Sequence, residues 1–177
     1  MNRKNNFKKL TLSAVFLALG LVLPFMTSQI KEIGDTLLPM HLPVLVCGLV
    51  CGAGYGGVIG LILPIMRSML FSMPPLYPNS IWMALELATY GFVAGILCFR
   101  VKNYKLRYLY FCLISAMVSG RIVWGISKSI LLGVSGKAFT FGAFITGVIL
   151  DSIPGIIVQL VLIPIIVSVI RKSEYIE

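Results

Sequence analysis

A chain of 177 residues that is 58% hydrophobic and only 12% charged, with a mean hydropathy of +0.97, is too poor in charge for a water-soluble domain, where charged residues run near 25%. It is an integral membrane protein. The net charge of +9 does not mark a nucleic-acid binder, because ten of the fifteen basic residues fall in three clusters beside apolar segments: Arg3, Lys4, Lys8 and Lys9; Arg100, Lys102, Lys105 and Arg107; Arg171 and Lys172.

The first apolar run, TLSAVFLALGLVLPF, lies in a predicted helix over 9–28. It follows basic residues as a signal peptide does, yet TSQIKE offers no small-residue cleavage site, so it is read as a retained helix. The stretch 38–71 is too long for one span of about 20 residues. CGAGYGG at 51–57, with four glycines in seven residues, predicts a tight turn. It divides the stretch into a short helix over 38–52 and another over 54–72, a tight hairpin. Gly48, Gly52, Gly56 and Gly60 recur every four residues through it, a spacing that lets membrane helices approach closely. SMPPLYPNS follows, a stiff proline-rich loop that either caps a pocket or is simply a rigid turn. Further helices are predicted over 80–99, 108–133 and 142–170. The expectation is one all-α membrane domain over 1–177 with six spans. Short basic loops stay in the cytoplasm. Six crossings put all three basic clusters on that side, with N-terminus and C-terminus inside.

Five ionisable residues interrupt the spans: Arg67, Glu86, Arg121, Lys128 and Asp151. An arginine at the centre of a membrane helix costs about 2.5–3.5 kcal/mol on insertion scales, and such residues normally face a partner or a cavity. On the predicted topology all five fall in the outer half of the bilayer or near its midplane. Helical spacing groups them further, since residues three, four and seven apart share a face. Arg121, Trp124, Gly125 and Lys128 form one such face; Asn79, Trp82, Glu86 and Tyr90 form a second; Asp151, Pro154 and Gly155 line up on a third, with Gln159 deeper. Aromatic walls with a few convergent polar groups suit a pocket for a small polar molecule. The alternative is internal bridging, for instance Arg67 with Glu86 and Lys128 with Asp151. Three positive against two negative charges mildly favour an acidic substrate. His41, in LLPMHLP at the start of the second helix, is a helix-end hydrogen-bonder or a ligand contact.

No cofactor or metal is implied. Cys47, Cys51, Cys98 and Cys112 lie in apolar stretches without CxxC or zinc spacing, as small buried hydrophobes do. GxSxG, HExxH and the phosphate-binding lysine loop are missing from the sequence, which argues against an enzyme and requires any ATP-driven function to borrow its ATPase.

Several of these stretches are similar to one family. Ala14-Val-Phe-Leu-Ala18 in the first helix, MHLPVLVCGLVCGAGYGGVIGLILPIMRS, ELATYGFVAG and PGIIVQLVLIP resemble the substrate-binding S component of energy-coupling factor (ECF) vitamin transporters, over nearly the whole chain. The resemblance implies a multi-pass protein of the cell membrane that binds a vitamin or related micronutrient in an outward-facing pocket. It also implies docking on a transmembrane coupling subunit attached to two ATPase subunits, and toppling within the bilayer. Ala14 and Ala18 would form the docking face; packing within the protein itself is the other reading of that pair. Outside the family, a self-sufficient small transporter or channel is the alternative, and it would need polar residues lining both leaflets.

Overall fold

The computed structural model describes residues 3–27, 38–98, 106–134, 142 and 153–172. Among them are six helices and no strand: α1 (Arg3–Thr27), α2 (His41–Cys51), α3 (Ala53–Phe71), α4 (Ile81–Cys98), α5 (Leu106–Val134) and α6 (Ile153–Lys172). Apolar segments take this form because lipid offers no partner for backbone N–H and C=O groups, which a helix satisfies within itself. Residues 143–152, the first part of the sixth helix expected from sequence, lie outside the described residues.

Among the described residues five helices are long and apolar enough to cross a membrane. Their exposed faces are oily: Ile114, Val118, Ile122, Ile126 and Ile130 form an outward stripe on α5, and Ile157, Val161, Ile165 and Val169 form one on α6. A four-residue repeat of exposed branched side chains is a lipid-facing surface, far beyond the apolar patches that soluble monomers show. The protein is a multi-pass membrane protein.

The odd member is α2. Its 11 residues rise about 16 Å, half of a hydrocarbon core of about 30 Å. Every residue but Leu42 is buried, and the helix packs against α1, α3, α4 and α6. Being apolar all round, it suits a central position. Val44, Leu45 and Leu49 meet Leu63, Leu87, Leu113 and Ile163 there in one continuous core.

The break between α2 and α3 is a single residue. Gly52 has φ 104° and ψ 171°, a region nearly confined to glycine. Its N–H donates to the Gly48 carbonyl at 3.1 Å, and its carbonyl accepts the Gly56 N–H at 3.0 Å. The turn expected over 51–57 therefore contracts to Gly52, and 53–57 is already helical. Gly48, Gly56 and Gly60 serve packing instead of turning. A Cβ on Gly56 would stand 2.6 Å from the Gly48 Cα, and one on Gly91 of α4 would run into the Gly56 carbonyl. Three helices thus cross backbone to backbone, as small residues permit in membranes.

The SMPPLYPNS loop folds on itself. Ser80, fully buried, donates its N–H to the Pro75 carbonyl at 3.1 Å. Its hydroxyl donates to the same carbonyl at 3.1 Å. The end of the bundle that carries this loop also carries the start of α2, and it holds most of the buried charge.

Candidate functional site

Glu86 is the centre of the site. It is 2% exposed, and its Oε1 accepts from Arg121 Nη1 at 3.1 Å and from the Tyr90 hydroxyl at 3.1 Å. His41 Nε2 lies 3.6 Å from the same oxygen. Three helices converge: α2 contributes His41 from its first residue, α4 contributes Glu86 and Tyr90 one turn apart, and α5 contributes Arg121. The His41 and Tyr90 rings sit 5.2 Å apart, tilted 59°. Tyr90 reaches its place because α5 has Gly120 opposite it, where any Cβ would meet the phenol ring.

Two tryptophans stand one turn nearer the loop end. Lys128 Nζ is 4.4 Å from the Trp124 ring centroid and 5.5 Å from that of Trp82. Arg121 Cζ is 5.8 Å from Trp124. These are cation–π distances, which strengthen as water is excluded. The faces predicted from helical spacing therefore meet: Trp82, Glu86 and Tyr90 on α4 confront Arg121, Trp124 and Lys128 on α5. Asn79 is half-buried in the turn before α4, and Asp151 lies outside the described residues, as does any pairing of it with Lys128.

Arg67 goes elsewhere. It is 7% exposed, and its Nη1 donates to the Leu21 carbonyl of α1 at 2.9 Å. Its guanidinium lies 5.0 Å from the Phe25 ring and 5.8 Å from Phe71, rings that meet edge to face at 4.6 Å. The expected Arg67–Glu86 bridge is not formed; among the described residues Glu86 pairs with Arg121 and His41. The cause is the rotation of α3. Arg67 follows Leu63 by four residues, hence shares its face, and Leu63 packs on Gly20 of α1.

Among the described residues three buried side chains keep nitrogens without a hydrogen-bond partner: Arg121 at Nε and Nη2, His41 at its ring nitrogens, and Gln159 at Nε2. Buried polar groups are normally satisfied, and two of these three exceptions, Arg121 and His41, stand beside one carboxylate. Such a cluster can accept a small molecule that brings its own hydrogen-bonding atoms. Residues 8–167 match the family profile described as ECF transporter, substrate-specific component. The chain belongs to this family. No curated protein and no solved structure matches it.

As a substrate-specific component the protein binds a transported small molecule and is a transport subunit. Its second surface feature lies at the other end of the bundle. Ala14 and Ala18 are both exposed on α1. Ala14 lines an apolar groove of about 520 Å³ between α1 and α3, with Leu10, Leu17, Tyr55, Val58 and Ile62. The four cysteines are free and buried, and the Cys47 thiol donates to Ser13 Oγ of α1 at 3.6 Å. Sequence reasoning overlooked Gly120 and Gly91. Gly120 precedes Trp124 by four, so its face was readable; the ring and carbonyl these glycines admit belong to other helices and leave no local trace.

Proposed function

We propose that this substrate-specific component captures a vitamin or related micronutrient among His41, Trp82, Glu86, Tyr90, Arg121, Trp124 and Lys128, with Asn79 at the rim and Asp151 as a further contact. In this reading the chain makes six crossings of the cell membrane with both termini in the cytoplasm. The site then faces outward, under the 72–80 loop. Arg67 anchors α1 to α3 as part of the frame. Ala14, on the apolar groove at the cytoplasmic end, and Ala18, exposed one turn further along α1, dock on a transmembrane coupling subunit that carries two ATPase subunits.

The observation that carries this reading is the buried Glu86–Arg121 pair with surplus donors around it, gathered from three helices at one end of the bundle. A pair kept only for stability is a poor investment, since burying two charges roughly cancels their attraction. A pair that also presents donors to a ligand has a second reason to exist. The aromatic faces above it suit the apolar body of a small molecule.

The test is reconstitution in liposomes with a radiolabelled micronutrient identified by native mass spectrometry of the purified chain. The chain alone is expected to bind without transporting. Uptake is expected only with a coupling subunit, the ATPases and ATP. Uptake by the chain alone would instead establish the self-sufficient transporter.

A further inference from the structure

Gln159 of α6 is 1% exposed, and its amide nitrogen Nε2 has no hydrogen-bond partner among the described residues. The helix around it, IPGIIVQLVLIPIIVSVIRK, is otherwise apolar until its last turns. Its buried face is the four-residue repeat Gly155, Gln159, Ile163 and Val167, and α6 packs on α2 and α5. Ile163 and Val167 join the core there with Val44 and Leu45 of α2 and Leu113 of α5. A glutamine kept only to tie helices together would donate its amide to a group on a neighbouring helix. Other buried polar side chains do find a carbonyl: Arg67 that of Leu21, Ser80 that of Pro75 and Ser127 that of Val123. Gln159 Nε2 does not.

The two helices under α6 are the ones that carry the other buried side chains with unpartnered nitrogens, His41 on α2 and Arg121 on α5. Helical rise brings Gln159 to their level. Glu86, which touches both, lies twelve residues before Cys98, and Arg121 lies fourteen after Arg107. Those separations are about 18 and 21 Å from the end where α4 finishes and α5 begins. With both termini in the cytoplasm, as proposed above, α6 finishes at that same end. Gln159 lies twelve residues before Arg171, again about 18 Å. Gln159 therefore belongs to the layer of the Glu86–Arg121 pair and closes it on the α6 side. An amide nitrogen and a guanidinium can only donate, so what completes this layer is an acceptor. A buried donor left without one is unfavourable, and a ligand that supplies the acceptor removes the penalty.

We infer that Gln159 is a substrate-binding residue, its Nε2 donating to a carbonyl oxygen or an unprotonated ring nitrogen of the transported micronutrient. The inference rests on the binding-subunit reading and deepens it, adding a specificity contact from α6. The amide selects for an acceptor at that point of the molecule, because an analogue lacking it leaves the buried N–H groups stranded.

The full chain in mild detergent is titrated calorimetrically with riboflavin, pantothenate, nicotinamide and biotin, and with any small molecule that native mass spectrometry finds released from it. Gln159→Met keeps the bulk of the side chain and removes the N–H groups. Without ligand, its thermal midpoint should equal or exceed that of the unaltered chain, since an unmet buried donor has been deleted. With the compound that the unaltered chain binds best, its affinity should fall by about tenfold or more. Ile163→Leu, one turn along the same face, repacks the helix without touching an amide and should leave that affinity within about threefold. An affinity that Gln159→Met leaves unchanged overturns the inference while the binding subunit stands. So does a lowered midpoint or an unfolded variant, which makes the amide a structural tie, and so does an equal loss in Ile163→Leu, which makes the effect one of packing. If none of the compounds binds, and none is released from the purified chain, the inference and the binding reading fall together.

Discussion

Removing Glu86 should unbalance three helices at once. Glu86→Ala takes the acceptor from Tyr90 and Arg121, at 3.1 Å each, and leaves a guanidinium buried with none of its donors satisfied within the cluster. Breaking a buried ion pair from one side costs about 3–5 kcal/mol. An ordinary interhelical polar contact in a bilayer averages about 0.6 kcal/mol, so the two descriptions of Glu86 are well separated. At about 2–4 °C per kcal/mol for a chain of this size, the midpoint should fall by at least about 6 °C. The decisive comparison is a double-mutant cycle with Arg121→Met, which removes the stranded charge and fills the space with an apolar side chain. The double variant should recover much of the loss, a coupling of about 2 kcal/mol or more against near-additivity for independent sites. Unfolding of all four proteins in mixed detergent micelles, followed by tryptophan fluorescence, measures it. A single-variant loss below about 1 kcal/mol, or a double variant equal to the two singles summed, would refute the reasoning.

Gly91→Val places a side chain against the Gly56 carbonyl; overpacking typically costs about 1–3 kcal/mol, more against backbone, so folded yield on size-exclusion chromatography should collapse. Gly54→Ala is its control: nothing lies within 4 Å of the added Cβ, and the helix should gain up to about 1 kcal/mol in unfolding experiments. Arg67→Ala removes the bond to Leu21 and the stacking on Phe25 and Phe71. Hydrogen exchange over the second half of α1 should then rise selectively, while unchanged protection there would mean the clasp is idle. Ala14→Trp fills the groove beside α3 from an exposed position. The chain should fold and bind its ligand as before but fail to co-purify with the coupling subunit, and an intact complex would remove Ala14 from the docking face.

Much of the site was legible because helices are periodic. Once Glu86 was placed in a helix, Trp82 and Tyr90 had to share its face, and the same spacing joined Arg121 to Trp124 and Lys128. Which face meets which was another matter. Arg67 and Arg121 are equivalent in the sequence, each a cation in an apolar run; the rotation of α3 against α1 sends one to a carbonyl and two phenylalanines, and α5 brings the other to Glu86. The glycine-rich stretch misled in a similar way. Its composition placed a break within 51–57, between helices over 38–52 and 54–72, but glycines serve backbone bending and backbone contact equally well, and only the neighbouring helix reveals which of them is in which use.

The sequence by itself determined that the chain lives in a bilayer, that its segments are helices and which side chains on each helix act together, because hydropathy and helical period are local properties. Tertiary structure alone decided that α2 is a buried half-length core, that a single glycine separates it from α3, and that Glu86 answers to Arg121. Those outcomes depend on how helices rotate and slide against one another, and that is fixed by side chains far apart in the chain meeting in a packed interior.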